Sequence, residues 1–211
     1  MFGIDFKSLI FTLPIIIVSL SFHEFMHAYV ANRIGDPTAK LMGRMTLNPL
    51  AHIDPIGLIA IIFTGFGWAK PVPVNPVYFK DSNKGMFAVS LAGPVSNIIL
   101  ALIFGLLLKI TEILSYSVIA ENLVIIFYEM FLYGVLINLA LCVFNIIPLA
   151  PLDGSKVLLS LIDNYNVKMK LTNFYNQYSS IVLLFLLISG VIDKMIDPII
   201  SFLFNLIVNV I

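Results

Sequence analysis

The chain has 211 residues, 60% of them hydrophobic and 11% charged, with 12 basic against 12 acidic groups and a mean hydropathy of +1.02. That balance excludes an ordinary soluble domain and describes an integral membrane protein, and a net charge of zero gives no footing for nucleic acid. The single cysteine, Cys142, excludes an intrachain disulfide framework and a cysteine metal cluster, so any metal is held by histidine and carboxylate.

The first apolar run, 8–31, reaches the length of a spanning helix, about 20 residues at about 1.5 Å rise each. It is too long for a signal-peptide core and has no small-residue cleavage pattern, so it is expected to stay in the working protein. Inside it stands His23-Glu24-Phe25-Met26-His27. On a helix His23 and His27 share one face and can reach one ion with Glu24 beside them, the pattern of a metal-activated water and its general base. In a soluble helix the same residues often form only a solvated face. Among Leu20, Phe22, Ala28 and Val30, however, three ionisable groups are costly unless they pair, line a cavity or hold a cation, and a metal site is the better reading.

The polar loop 48–57 follows, with His52 and Asp54. Asp54 before Pro55 has the ordinary use of a turn cap, and either side chain could complete a metal site. The apolar stretch 56–66 holds only eleven residues, too few to cross as a helix, so it is expected to dip in and return. Charge agrees with a dip. Arg33, Lys40, Arg44, Lys70, Lys80, Lys84, Lys156, Lys168 and Lys170 then share one side and Lys7 and Lys109 the other, and the Lys/Arg-rich side is the cytoplasmic one. The same topology brings the C-terminal ends of helices 8–31 and 122–147 to one side, whereas a crossing at 56–66 would separate them. His23 and His27 would lie about 8 to 14 Å below the helix end near Asn32. In 65–76, Pro71, Pro73 and Pro76 forbid a helix and favour an extended edge to which a substrate could add as a strand. A compact surface loop is the plainer alternative.

Runs 85–108 and 122–147 are further spans. Asn97 follows the Gly93-Pro94 kink, where its amide could satisfy freed backbone or serve the site. Glu129 is expected to snorkel to the outer surface, with a gate or access path as the alternative. Pro148 and Pro151 break the 122–147 helix. Asp153 beyond them is either the N-cap of a helix over 154–162 or a ligand on an unwound, cavity-lining segment. Runs 179–191 and 196–211, interrupted by Asp193, Lys194, Asp197 and Pro198, read as two more helices. The expected fold is an all-α polytopic membrane protein with about five transmembrane helices and a re-entrant segment bearing a short β-like strand.

His23-Glu24-xx-His27, Ala92-Gly93-Pro94-Val95-Ser96-Asn97 and Asn145-xx-Pro148-xx-Pro151-Leu152-Asp153-Gly154 stand in this order on three separate helices. Together they resemble the three hallmark motifs of the site-2 protease family of intramembrane zinc metalloproteases, over a core of about 8–165. The resemblance implies one Zn2+ on His23, His27 and Asp153, with Glu24 as catalytic acid and base. It also implies Asn145 and Asn97 near the substrate or oxyanion. Gly65 and Gly67 resemble the family's Gly-x-Gly re-entrant strand and are expected at a bound substrate. Members often carry a PDZ or CBS domain and an additional helix before the motif helix. Here a single transmembrane metalloprotease domain over 1–211 is expected, with C-terminal helices at about 177–211 and neither addition.

The function expected is hydrolysis of peptide bonds within or near transmembrane segments of membrane proteins. Its setting is a multi-pass protein of the cell membrane with its site toward the cytoplasm. The partners are transmembrane protein or peptide substrates and the lipid bilayer, with no nucleic acid and a homo-oligomer left open. Two rivals stand beside this. A divalent-metal transporter would show several sites along a path or an internal repeat, and only one cluster and no repeat is visible. A catalytically inactive protein that binds transmembrane helices would have no need of the intact His, Glu, His and Asp set.

Overall fold

The computed structural model describes residues 6–65, 67–114 and 121–210, so Phe66 of the expected dip and Ile211 of the expected last helix lie outside them. The helices are α1 (Phe6–Arg33), the short α2 (Thr38–Leu41), α3 (Pro55–Thr64), α4 (Ser82–Leu114), α5 (Glu121–Ile146), α6 (Asp153–Ser160), α7 (Tyr165–Phe174), α8 (Ser180–Ile188) and α9 (Val191–Val210). Four stretches, Leu9–Arg33, Ser82–Ile113, Leu123–Ile146 and Tyr165–Ile188, are long and apolar enough to cross a membrane. The chain is an integral membrane protein built from helices.

Side-chain pairings fix how the helices run. Asn97 of α4 donates to Asn138 of α5, and Phe131 and Gly134 of α5 meet Phe104 of α4, so these helices are antiparallel. Asn138 also donates to Ser19 near the middle of α1, while His23 and His27 further along α1 meet Asp153 just beyond α5. Thus α1 and α5 run parallel, and their C-terminal ends share one side of the bundle. Because lipid is as apolar as leucine, close packing rather than transfer from water must hold such helices together. Gly134 illustrates this, since a Cβ there would lie 2.4 Å from the Phe104 ring. The main buried cluster joins Ala101, Val135 and Leu139 to Tyr175, Leu183 and the α9 stripe Ile192, Ile196, Ile200 and Ile207.

α3 has ten residues, about 15 Å of helix and half of a hydrocarbon core of about 30 Å. Asp54 caps its start by accepting from the Ile56 and Gly57 N–H groups, and Gly65 ends it at φ 73° with its N–H bonded to Ile61. The chain then returns to where it left. Ile53 and Ala69 form an antiparallel bridge, and Lys70 N–H donates to the His52 carbonyl at 2.8 Å. The return is tight enough to require Gly57 and Gly67, since a Cβ on either would fall 2.1 Å from a facing carbonyl oxygen.

Two expectations change in detail. Among the described residues the anticipated β-like strand is reduced to that one bridge. Pro71, Pro73 and Pro76 have no N–H for a ladder, and their neighbours' backbone groups bond to side chains: Glu24 takes Val72 N–H, Asp36 takes Asn75 N–H, and Arg44 takes the Lys70 and Pro71 carbonyls. At the other end, the helix expected over 179–191 starts at Tyr165, where the Asn164 side chain caps it, and passes through a π-turn at Tyr175–Ser179 into α8. The break before the last helix falls at Gly190, φ 68°, and not at Asp193–Pro198, which lie inside α9.

Candidate metal centre

α1 delivers the first two donors. With one turn between them, the buried His23 and His27 rings face the same side, and their Nε2 atoms stand 3.0 Å apart. The orientation is enforced from behind. His27 Nδ1–H donates to the Val89 carbonyl at 2.7 Å, and His23 Nδ1–H donates to Asn97 Oδ1 at 2.6 Å. A carbonyl oxygen can only accept, so each proton sits on Nδ1 and each Nε2 lone pair points into the shared space. Asn97 is itself held, its amide donating to Asn138 Oδ1, while the Asn138 amide donates to Ser19 Oγ and the Gly134 carbonyl. Side chains of α1, α4 and α5 together therefore aim one imidazole.

The third donor comes from the break after α5. Asp153 Oδ2 lies 3.1 Å from His23 Nε2 and 3.0 Å from His27 Nε2. It is the first residue of α6, and Leu152 is the N-cap, so the carboxylate serves this cluster and not its own helix end. The other oxygen accepts from Lys156 Nζ at 3.1 Å. The Lys156 ammonium beside that oxygen favours the ionised carboxylate, the form a metal ligand needs. The proline loop is anchored by Tyr175, whose hydroxyl donates to the Pro148 carbonyl, and by Ser179, which donates to Ala150. Gly154 lets it fold back, because a Cβ would sit 2.1 Å from the Ile146 carbonyl oxygen.

These donors fit a metal ion. Two imidazole lone pairs and a carboxylate oxygen converge at 3.0 to 3.1 Å from one another, and lone pairs so close are stabilised by a cation between them. Tetrahedral bonds of about 2.0–2.1 Å space donors about 3.3–3.4 Å apart, so outward shifts of about 0.3 Å suffice. Gly93 of α4 keeps the space clear. A Cβ there would lie 2.4 Å from His23 Nε2 and 2.5 Å from His27 Nε2. Among the described residues, this is the one group of three or more His, Cys, Asp or Glu side chains placed to hold an ion.

Glu24 lies buried beside the cluster on the adjoining face of α1, and its Oε2 accepts from the Val72 N–H at 2.8 Å. The remaining sequence candidates lie apart. His52 donates from Nε2 to the Thr46 carbonyl, and Asp54 caps α3, so neither joins the donors. Gly57 N–H first, then Ile56 N–H, the Trp68 side chain and Lys70, set the Asp54 pKa below its ordinary value against a smaller opposing effect of burial. Asn145 turns its amide back to the Leu141 carbonyl of its own helix. Gly65 and Gly67 shape the return after α3, and Glu129 is exposed on α5. Gly93, Asn138 and Lys156 were not singled out by sequence reasoning as site residues. Lys156, one turn after Asp153, had a readable signal in its spacing; Asn138, an amide at mid-helix, had a weaker one.

Fold and site together define a polytopic membrane protein with a two-histidine, one-aspartate metal centre and an adjacent carboxylate. The profile of Peptidase family M50 matches residues 11–118 and 108–189, and the chain belongs to that family, which is that of the site-2 proteases. It is 40% identical over 186 residues to YwhC of Bacillus subtilis (strain 168), by name a candidate zinc metalloprotease, covering 88% of this chain and 84% of that protein. The similarly named MJ0611 of Methanocaldococcus jannaschii is 32% identical over 158 residues, 73% of each chain. Rip2 of Mycolicibacterium smegmatis is 32% identical over 146 residues, which span 65% of this chain and 52% of Rip2. No solved structure matches the chain.

Proposed function

We propose that this protein is an intramembrane zinc metalloendopeptidase that hydrolyses peptide bonds within or next to transmembrane segments of membrane proteins. The observation that carries the reading is the convergence of His23 Nε2, His27 Nε2 and Asp153 Oδ2 with Glu24 on the next face of the same helix. Membership in family M50 and the zinc metalloprotease names of the relatives support it. His23, His27 and Asp153 would hold the zinc ion, which when bound supplies a Lewis acid that acidifies water and polarises a carbonyl.

The chain's own residues do the rest. Glu24 takes a proton from water and later gives it to the leaving amine, with Val72 N–H fixing one of its carboxylate oxygens. Asn97 and Val89 fix the two imidazoles, so the donors are held in orientation before the ion arrives. A transmembrane substrate arrives with its carbonyls bonded in a helix and must be unwound locally; the extended segment 67–76 beside Glu24, with Gly65 and Gly67 at its start, is where such a chain would lie as a short added strand. Asn145, close to Asp153 in sequence, would assist at the substrate after leaving its helix-internal bond. The excess of Lys and Arg beside the C-terminal ends of α1 and α5 favours a site open to the cytoplasm, and a fifth crossing by α9 completes the proposed topology in the cell membrane. The single metal cluster among the described residues favours a hydrolase over a transporter, which needs a path of sites.

Metal analysis of the purified protein together with cleavage of a generic transmembrane peptide in detergent tests this reading. One zinc per chain and Glu24-dependent cleavage are expected. A zinc-loaded protein that cleaves no transmembrane peptide, or cleaves equally well as Glu24→Gln, would overturn it.

A further inference from the structure

Asp153 divides its two oxygens between different partners. Oδ2 meets both imidazoles, 3.1 Å from His23 Nε2 and 3.0 Å from His27 Nε2, whereas Oδ1 accepts from Lys156 Nζ at 3.1 Å. Both residues stand at the start of α6, three positions apart, so the lysine reaches back over its own helix to the carboxylate. The Asp153 side chain is 7% exposed and that of Lys156 46%, so a half-exposed ammonium reaches into a buried donor set.

Helix stability does not account for this lysine. A cation near a helix N-terminus faces the positive end of the helix dipole, and an ion pair with one half-exposed partner stabilises a helix only slightly. The bond matters for the cluster instead. Metal-binding carboxylates attach through one oxygen or through both. A hydrolytic centre with three protein ligands needs its remaining position for water, and an aspartate that chelated with both oxygens would take up that position. Oδ1 is the oxygen that chelation would recruit. With Lys156 Nζ on it, turning Oδ1 toward the imidazoles would cost a charge-assisted hydrogen bond. Gly93 clears the same space from the α4 side, where a Cβ would crowd both Nε2 atoms.

We propose that Lys156 is a positioning residue that holds Asp153 to ligation through one oxygen and so keeps a coordination position free for water and the scissile carbonyl. The proposal rests on the metal-holding part of the reading above. In this role Lys156 acts only through Oδ1. Replacing it should therefore leave the three donor residues in place and change how many atoms they contribute.

The test uses the intact chain in detergent, loaded with Co2+, which accepts the same nitrogen and oxygen donors as zinc and, unlike the d10 zinc ion, absorbs visible light. Four-coordinate Co2+ absorbs strongly and five-coordinate Co2+ severalfold more weakly. The unaltered protein is expected to give the strong spectrum with one cobalt per chain. Lys156→Met keeps the apolar stem without the donor. It is expected to hold one cobalt per chain while its visible bands weaken severalfold and its cleavage of a transmembrane peptide falls by at least about tenfold. Lys156→Arg returns a charged donor to Oδ1 and should restore both. A five-coordinate spectrum in the unaltered protein, an unchanged spectrum in Lys156→Met, or no recovery in Lys156→Arg overturns the proposal. Loss of cobalt from Lys156→Met also overturns it, since the lysine would then serve the charge of the ligand and not its mode of attachment. The spectrum is read whether or not peptide is cut, and this separates the two readings. The spectral change without cleavage by any variant defeats the protease and keeps the role of Lys156, whereas cleavage with a spectrum indifferent to Lys156 does the reverse.

Discussion

The backbone N–H of Val72 donates to Glu24 Oε2 across 2.8 Å, and because Pro71 and Pro73 flank it, Val72 is the one residue of that tripeptide with an N–H to give. The segment that returns from α3 is thereby pinned to the glutamate of the metal helix. Glu24→Gln keeps an acceptor for this bond, so the loop should stay in place while the base is lost. Cleavage of a transmembrane peptide is expected to fall by about 10² to 10⁴-fold with one zinc per chain retained, as read by turnover and metal analysis on the same preparation. A large loss of metal in this variant would mean that Glu24 acts as a ligand.

Gly93 presents a sharper steric case. An alanine Cβ would stand within 2.4 to 2.5 Å of both ring nitrogens, in the space the ion needs. Alanine favours the helix more than glycine does, so α4 itself should form at least as well. Gly93→Ala is expected to remain folded by circular dichroism and to purify without metal. Full zinc occupancy in this variant would show that the ion sits elsewhere.

Asn138 acts at one remove, through Asn97, on His23. Replacing it by leucine removes the acceptor for the Asn97 amide and frees Asn97 to turn away from His23 Nδ1. Loss of an outer-shell partner of this kind typically costs about 10 to 100-fold in metal affinity. Competition with a chelator should therefore show weaker zinc binding in Asn138→Leu, with recovery in Asn138→Gln if its longer amide still reaches. A structural defect alone would lower thermal stability in both variants without separating their zinc affinities.

What the sequence made legible follows from which forces are local. The spans around 8–31, 85–108 and 122–147 were readable because a bilayer imposes a minimum apolar length, and 56–66 was readable as a dip because ten or eleven residues cannot meet it. His23 and His27 were legible because ionisable groups stand out in apolar surroundings, whereas Asp153 at its proline break was one of three candidates until the family resemblance singled it out. Segment 179–191 was placed too late, since the polar stretch 165–178 hides a helix that Asn164 starts and packing continues. The β-like strand was overdrawn because pairing depends on partners that composition does not reveal. Asn138 and Gly93 take their meaning from contacts across α1, α4 and α5, which a mid-helix amide and a Gly-Pro pair do not by themselves identify.

Asp54 gives a pH dependence with a defined sign. Its carboxylate accepts from Gly57 and Ile56 at the start of α3, and these bonds set its folded pKa below the ordinary aspartate value. A group lowered on folding stabilises the fold above its unfolded pKa, near 3.9, and that contribution is lost as pH falls through the still lower folded value. The α3 cap should therefore be unchanged from neutrality down to about pH 4 and loosen only below it. Trp68, which hydrogen-bonds Asp54 and is the sole tryptophan, reports the event directly. Its fluorescence should be flat above about pH 4 and shift below, and Asp54→Asn, which cannot titrate, should lack the transition. A Trp68 transition near neutral pH, or one that persists in Asp54→Asn, would assign the change to another group and detach the dip from its carboxylate cap.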